Sequence, residues 1–355
     1  MNPRIFVVIS LIICLSGFAA SASCKLAGND PPCGEVTIGE VLNSITLWSQ
    51  GGMDVTGVLH LINSWSDPLH YPPEFVPEPQ DWILENGTRI STGVSPALYR
   101  LADGRLRMYI TGMGGISSYI SSDGLNFSSE KTDVLPEGIN GEVFRLSDGR
   151  YRIIYNAVEG WHGPPEERRF YFISAVSVDG LNFVPEEGVR FRSQGAPDYD
   201  AISVPDIVNL SDGRLRMYYT GDMFAPAFGR NGNNVRSAVS FDEGLTWQRE
   251  EGARLAFTSM DPEIVVTPEG KYRMYYTANP GDDVEAGQRI YSAFSDDGLD
   301  FTYETEVLSS GNPGIRYMDP VITEIPEGYR MYYSEATGEP GGEETKIKSA
   351  VWKIR

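Results

Sequence analysis

The sequence predicts an all-β fold in which five similar four-stranded sheets form a closed ring. The first observation is a segment that occurs five times with few changes, NLSDGRLRMYYTG at 209–221 and its relatives RLADGRLRMYITG, RLSDGRYRIIYNA, VTPEGKYRMYYTA and EIPEGYRMYYSEA. The second is a tight turn that follows four of the copies, as in SVDGLNF at 177–183 and SFDEGLTW at 240–247. The third is WILENGTRI at 82–90, which precedes the first copy but has the sequence of a fourth strand.

The elements follow in one order within each unit. A short strand such as PDIVNL leads into a DG or EG turn, which is typical of a β-hairpin, and a segment such as RLRMYYT then reads as a strand. A third strand, the tight turn and a fourth strand complete the unit. The turn glycines recur at intervals of roughly 45 to 64 residues, a repeat length typical of propeller blades. They are Gly104, Gly149, Gly213, Gly270 and Gly328.

The fifth unit lacks a fourth strand, because the chain ends after KIKSAVWKIR. A sheet left in this state would expose an unpaired edge. WILENGTRI matches FVPEEGVRF at 183–191 and WQREEGARL at 247–255, which are the fourth strands of their own units. We therefore expect residues 82–90 to complete the last sheet, and residues 82–355 to form a five-bladed β-propeller closed by an N-terminal strand.

Residues 1–22 have the pattern of a cleaved secretory signal peptide, in which Arg4 precedes the apolar run Ile5–Leu15. That run is too short to span a bilayer. The sequence thus predicts a secreted protein without a membrane span. Cys24 and Cys33 remain after cleavage, and an even pair in an oxidising compartment predicts one disulfide. A lipid on Cys24 is the alternative.

Residues 24–66 predict a small helical module. VTIGEVLNSITLWS is echoed by MDVTGVLHLINSWS, with apolar residues at helical spacing in both copies. The pair resembles a degenerate dockerin module, which implies attachment to a surface or complex partner, although too few carboxylates are present for a good calcium loop. A helical cap with no partner is the alternative. Residues 67–81 are rich in proline and predict an extended linker.

The net charge restricts the choice of partners. The chain of 355 residues carries a formal charge of −20 at pH 7, with an isoelectric point near 4.6. Nucleic acids and anionic membrane surfaces repel such a protein. The sequence therefore argues against both as partners.

Candidate functional residues lie where the five copies differ. Counting back nine and seven residues from each turn glycine reaches the start of the strand that would line the central channel. The two offsets have the same parity, so we expect both side chains to point the same way. The acids at these positions are Glu142, Asp206, Asp261, Glu263 and Asp319. We expect their carboxyl groups to converge at one mouth of the channel.

Two short motifs resemble those of known families. Met260-Asp-Pro-Glu and Met318-Asp-Pro-Val, with the RMYYT strand, resemble the inner strands of five-bladed furanosidase-type glycoside hydrolases, the relatives of arabinanases, xylosidases and invertases. SFDEGLTW resembles the Asp-box of sialidase-like propellers, which implies a turn rather than an activity. The arginine cluster of a sialidase has no counterpart at the channel-facing positions.

The furanosidase resemblance implies roles for the acids. Glycoside hydrolysis needs one protonated and one ionised carboxyl group, roughly 5–10 Å apart. We expect Asp261 to act as base or nucleophile with Asp319 as its electrostatic companion, and Glu142 or Asp206 to act as acid. The family places Asp, Asp and Glu on three successive blades, whereas the blade after Asp319 offers Ser95.

Long loops add candidate substrate-binding residues on the same face: Trp161, His162, Phe224 and Arg230, together with Glu263. Exposed aromatic side chains can form platforms for a ligand. With three histidines in the chain, no His-rich metal site is expected. The sequence indicates no cofactor and leaves open whether calcium lies in the channel.

These features predict a secreted, carbohydrate-active protein, a glycoside hydrolase that uses carboxyl groups at the channel mouth. The alternative is a propeller of the same shape that binds a glycan or a protein at the cell surface without cutting it. In that case the Asp-Pro pairs only fix the turn into each blade. In a third interpretation, residues 24–66 hold the protein in a surface layer or complex.

Overall fold

The computed structural model describes residues 82–353, apart from 161–168, 193–201, 222–232, 256–257, 268–269, 281–285 and 339–342, and the single earlier position Thr46. The predicted signal peptide, disulfide and linker lie outside the described residues. Most of the predicted helix pair does too, although Thr46 lies within its first helix and is helical. No helix in the described part of the chain is long and apolar enough to cross a membrane.

Twenty-one strands make up the described chain, and they form five antiparallel sheets. Blade 1 holds β2 (Val94–Arg100), β3 (Leu106–Gly112), β4 (Gly115–Ser121) and β5 (Ser128–Pro136). Blade 2 holds β6 (Ile139–Arg145), β7 (Tyr151–Glu159), β8 (Arg169–Ser177), β9 (Val184–Pro185) and β10 (Phe191–Arg192). Blade 3 holds β11 (Ser203–Asn209), β12 (Leu215–Gly221), β13 (Asn234–Ser240) and β14 (Gln248–Arg249).

Blade 4 holds β15 (Met260–Val266), β16 (Tyr272–Ala278), β17 (Arg289–Ser295) and β18 (Thr302–Leu308). Blade 5 holds β19 (Ile315–Ile325), β20 (Gly328–Thr337), β21 (Glu344–Lys353) and β1 (Ile83–Leu84). The first strand of each blade, which we call the inner strand, contacts the inner strand of the next blade, and β19 of blade 5 returns to β2 of blade 1. The prediction of a five-bladed propeller is confirmed.

The N-terminal strand closes the ring as the sequence predicted. Ile83 pairs with Val351 and Leu84 with Ala350, in antiparallel register on the outer side of β21. Glu85 takes the place of a fourth-strand glutamate, because Arg330 of β20 donates to it at 2.8 Å. The last sheet therefore has four strands although its fourth strand comes from the other end of the propeller sequence.

The hydrophobic core lies between neighbouring blades. Tyr218 and Met274, for example, belong to one buried cluster shared by blades 3 and 4, and both side chains are fully buried. Burying one such side chain contributes about 1.5–3 kcal/mol. The repeated RMYYT segment thus recurs because every interface between neighbouring blades, which we call a seam, needs the same packing.

Polar contacts, which we call seam clips, also join neighbouring blades at these seams. Arg107 of blade 1 forms an ion pair with Glu130 of its own blade and donates to the carbonyl oxygen of Asp179 in the tight turn of blade 2, both at 2.7 Å. The hydroxyl of Tyr109 donates to the carbonyl oxygen of Gly180 in that turn at 2.8 Å. Arg216 with Tyr218, and Arg330 with Tyr332, repeat both contacts with the following blade.

The tight turns are locked by their own side chains. In SVDG the Ser177 hydroxyl donates to Asp179, and the backbone N–H groups of Leu181 and Asn182 donate to the same carboxylate at 2.8 Å. These donors hold the pKa of Asp179 far below its ordinary value. Because every donor is local, this carboxylate serves the turn, on the face opposite the channel mouth.

Candidate functional site

Each inner strand contains a β-bulge in the half of the strand nearer the mouth. The pairing register shifts by one residue in all five inner strands, for example between Met260 and Glu263. The residue nine before the turn glycine has a left-handed backbone in every blade. These residues are Ser95 (φ 50°), Asn140 (50°), Val204 (42°), Asp261 (51°) and Asp319 (51°). Asp and Asn tolerate this conformation far better than a β-branched residue such as Val204.

The preceding blade holds these bulges in place. The backbone N–H of Asp261 donates to Thr220 Oγ1 at 2.8 Å, and that of Asp319 donates to Thr277 Oγ1 at 3.2 Å. The same bond joins Asn140 to Thr111 at 2.8 Å. The threonine that ends the repeated YYT segment therefore holds the backbone of the bulge in the inner strand of the next blade.

The bulges surround one small cavity on the propeller axis, of about 20 Å³. Its walls include the residues nine and seven before the turn glycine, among them Asn140 with Glu142 and Val204 with Asp206. Four of the five acids that were predicted to converge line this cavity, Glu142, Asp206, Glu263 and Asp319, whereas Asp261 does not. The bulge interrupts the simple alternation of side chains on which the prediction relied. A space of this size holds a water molecule and excludes a sugar ring.

Asp261 and Asp319 form a carboxyl pair on the neighbouring blades 4 and 5. Both are buried, and they lie close enough for the charge of one carboxyl group to act on the other. Burial raises both pKa values, and the charge of Asp319 raises the pKa of Asp261 further. Two neighbouring buried carboxyl groups do not both ionise readily, so the pair favours a form in which one of them is protonated.

Asp319 accepts a hydrogen bond from the following blade. The backbone N–H of Ser95 donates to Asp319 Oδ2 at 3.0 Å. Asp319 lines the axial cavity, whereas Asp261 is not among its lining residues. Asp319 is therefore the member of the pair whose carboxyl group faces the cavity.

Asp206 and Glu263 brace the ring. The backbone N–H of Ile264 donates to Asp206 Oδ2, and that of Ile322 donates to Glu263 Oε1, both at 2.8 Å. Each acid thus satisfies an amide on the inner strand of the following blade, where no further strand is available to pair with it. Burial raises the pKa of Asp206 to about 7.

Glu142 completes the cluster from blade 2. Burial, followed by the charge of Asp206, raises the pKa of Glu142 well above its ordinary value. Burial and the charge of Asp206 also raise the pKa of Glu263. Crowded, buried carboxyl groups cannot all ionise near neutral pH. The axial cavity therefore holds protonated and ionised carboxyl groups side by side.

Some of the predicted site residues lie together in the structure, and others lie outside the described residues. The fold brings Glu142, Asp206, Glu263 and Asp319 to one cavity, whereas Asp261 is buried next to Asp319 and does not line the cavity. Trp161, His162, Phe224 and Arg230 lie outside the described residues. Sequence reasoning missed Thr220 and Thr277 as supports of the two Asp-Pro bulges, although their recurrence at the end of YYT was the available signal. Among the described residues, no group of His, Cys, Asp or Glu is arranged to hold a metal ion.

Comparisons with solved structures find the same fold. An N-acetylgalactosamine deacetylase from F. plautii, in complex with blood group B trisaccharide, has a TM-score of 0.59 at 14% identity, covering 78% of this chain and 94% of that one. An α-L-arabinofuranosidase from Lactobacillus brevis has a TM-score of 0.56 at 15% identity, covering 77% and 94%.

A thermostable family-43 glycoside hydrolase has a TM-score of 0.54 at 17% identity, covering 75% of this chain and 90% of that one. No protein-family profile and no curated protein matches the sequence. At these identities the likeness establishes the fold, a five-bladed propeller shared with glycoside hydrolases, and the activity of this chain is a separate question.

Proposed function

We propose that this protein is a secreted glycoside hydrolase whose reaction centre is the Asp261–Asp319 pair. The observation that carries the proposal is the burial of these two neighbouring carboxyl groups, with Asp319 at the axial cavity. Paired acids whose pKa values are pushed apart are typical of acid–base catalysis. The fold neighbours include glycoside hydrolases, which supports a carbohydrate as the substrate.

The pair divides its roles according to where the proton lies. Asp319 lines the cavity and accepts hydrogen bonds that favour its ionised form. We assign it the role of base or nucleophile. We assign Asp261 the role of its protonated partner, because Asp319 is the member of the pair that accepts the backbone N–H of Ser95. This assignment exchanges the two roles that the sequence alone suggested.

Glu142 is the proposed general acid. Burial and the charge of Asp206 raise its pKa, which favours the protonated form, and it lines the same cavity as Asp319. Asp206 is the less suitable candidate, since one of its oxygens is committed to the amide of Ile264. That N–H donor favours the ionised form of Asp206, which makes this residue less able to hold the proton that a general acid must deliver.

The size of the axial cavity supports a substrate that binds above it. About 20 Å³ accommodates a water molecule, so the sugar ring would bind at the channel mouth with its reactive carbon over Asp319. The loop residues Trp161, His162, Phe224 and Arg230 belong to this proposal as the substrate platform. Secretion and attachment through residues 24–66 also belong to it.

A panel of substrates tests the proposal. Purified protein would be incubated with chromogenic arabinofuranosides and xylosides and with neutral plant and microbial polysaccharides, and released sugar would be measured. We expect turnover of at least one substrate, and its loss in the Glu142→Gln variant with the fold retained. Asp212→Asn, in an exposed hairpin turn on the opposite face, is the matched control and should keep full turnover.

A non-catalytic glycan- or protein-binding propeller is the second candidate. Its support is the bracing geometry, since Asp206 and Glu263 each satisfy an amide of the next blade and would be retained for stability alone. The blade after Asp319 also carries Ser95 where the furanosidase pattern has its glutamate. Saturable glycan binding without any turnover across the panel would favour this candidate.

A further inference from the structure

Blade 1 is lower than both of its neighbours at the channel mouth. Its β3 and β4 have seven residues each and are joined by the two-residue turn Met113-Gly114. In blade 2, β7 and β8 have nine residues each, and in blade 5, β20 and β21 have ten each. In each of these three pairs, the first strand ends and the second strand begins on the mouth side. The shorter hairpin of blade 1 therefore leaves a notch between two taller blades.

The notch opens a cleft of about 930 Å³ between blades 1 and 2. One wall is the face of blade 2 that rises above blade 1. Tyr155 pairs with Ile173, and Ala157 pairs with Tyr171, so these four side chains share one face of the sheet. All four line the cleft. A cleft of this volume is in the size range of ligand-binding sites and has room for several sugar rings.

The floor of the cleft is a fixed piece of backbone. The N–H of Glu137 donates to the carbonyl oxygen of Gly114 at 3.2 Å, which ties the connection between blades 1 and 2 to the short hairpin. A Cβ atom on Gly115 would collide with the carbonyl oxygen of Leu135, and one on Gly138 would press against the ring of Tyr155. These glycines keep the floor low, and the cleft is therefore built into the fold.

The cleft leads to the proposed reaction centre. Ile139 lines the cleft, and the next residue, Asn140, lines the axial cavity. Asn156 lines the cleft and is joined to Asn140 through Ser203, which accepts from Asn140 Nδ2 at 2.6 Å and donates to Asn156 Oδ1 at 3.2 Å. A ligand held in the cleft would thus end beside the mouth of the axial cavity.

The charges select the kind of ligand. Of the described residues that line the cleft, one is acidic, Glu137, and none is Lys, Arg or His. The carboxyl groups of the axial cavity lie at the inner end of the cleft and add to its acidic character. The whole chain is also strongly acidic. Uronate-rich or sulfated chains would be repelled. Tyr171 offers a half-buried aromatic ring whose orientation is fixed by the guanidinium of Arg192, 4.8 Å above the ring centre.

We propose that the cleft between blades 1 and 2 binds the extended part of a neutral oligosaccharide whose end reaches the channel mouth. The proposal rests on the proposed function and specifies its substrate class, a chain of uncharged sugars rather than a single glycoside. Tyr171 stacks against one sugar ring, and the low hairpin of blade 1 lets the chain leave sideways.

Binding measured by calorimetry tests the proposal independently of turnover. The ligands are neutral arabino-, xylo- and gluco-oligosaccharides from disaccharide to hexasaccharide, with oligogalacturonides as the anionic comparison. Measurements use the Glu142→Gln protein, so that any hydrolysis does not consume the ligand. We expect affinity for one neutral series to rise with chain length, while the oligogalacturonides do not bind.

Variants localise the binding. Tyr171→Ala should weaken hexasaccharide binding about three- to tenfold and leave the disaccharide unchanged, Tyr171→Phe should restore the affinity, and Ala157→Trp should block the cleft. Tyr303→Ala, an exposed tyrosine on blade 4, is the control. Equal hexasaccharide affinity in Tyr171→Ala, Ala157→Trp and the parent would overturn the cleft proposal, while turnover of a short chromogenic glycoside would still support the hydrolase. Failure of all neutral series to bind would overturn it as well.

Discussion

The carboxyl groups of Asp261 and Asp319 are buried next to each other where the inner strands of blades 4 and 5 meet. Each residue has a left-handed backbone at the bulge of its strand, and each backbone N–H is held by a threonine of the preceding blade. The pair is thus a product of the ring, because neither blade alone could bring the two side chains together. Its neighbours in the axial cavity are further buried acids, and this shapes how the protein responds to pH.

Stability should fall as pH rises from about 5 to about 8. A buried acid with a raised pKa contributes stability that is complete below its unfolded pKa and is lost as pH rises through its folded pKa. Asp206, with a folded pKa of about 7, titrates within this range. The turn acids with lowered pKa values, such as Asp179, are ionised throughout it and act only at lower pH. Thermal unfolding should show a midpoint lower by roughly 5 °C or more at the higher pH.

Asp206→Asn provides the check on that pH dependence. The amide oxygen can still accept from the N–H of Ile264, but the group no longer ionises. The variant should therefore lose less stability than the wild type between the two pH values, whereas Asp212→Asn should follow the wild type. A wild-type midpoint that is constant or rises over this range would contradict the raised pKa values.

The seam clips should be strongly stabilising. Arg107 is buried, and Glu130 is its ion-pair partner. Glu130→Ala would leave the guanidinium buried without that partner, at a cost of about 3 kcal/mol in the free energy of unfolding. Urea denaturation measures this change. The exposed Asp148–Arg150 pair gives the matched control, since Asp148→Ala should leave stability close to that of the wild type. Equal effects of the two substitutions would argue against the clip.

Val204 should be a stabilising target. It is a β-branched residue with φ 42° at the position that Asn140 fills in blade 2. Left-handed backbone costs about 1–2 kcal/mol for such a residue and less for asparagine. Val204→Asn is therefore expected to raise the free energy of unfolding by about 1 kcal/mol, and the reverse change Asn140→Val to lower it. A decrease in stability for Val204→Asn would show that the valine contributes packing that outweighs the strain.

Closure by the N-terminal strand can be tested by truncation. A chain that begins at residue 77 keeps Trp82 to Ile90 and should remain a folded monomer by circular dichroism and size-exclusion chromatography. A chain that begins at residue 91 lacks Glu85 and exposes the edge of β21, which should cause aggregation or loss of the thermal transition. Two truncations with the same thermal midpoint would contradict the closure.

The fold could be predicted from the sequence because each blade repeats the same strand and turn segments. The match of WILENGTRI to two fourth strands predicted the closure, and the residues paired with β21 confirm it. The convergence of the acids was also predicted, but its cause was missed, since a bulge depends on how an inner strand pairs with its neighbour. The bracing by Asp206 and Glu263 was missed for a related reason: each acid bonds an amide of another blade, and a one-blade pattern contains no such information.

The most direct test of the central claim is the kcat/KM of the wild type, Asp261→Asn and Asp319→Asn on the best substrate of the panel. All proteins would first be shown to be folded by circular dichroism. The account predicts a loss of about 10²–10⁴-fold in Asp319→Asn, a large loss in Asp261→Asn, and wild-type values in Asp212→Asn. Folded Asp261→Asn and Asp319→Asn variants with turnover within about twofold of the wild type would contradict the claim that this pair is the reaction centre.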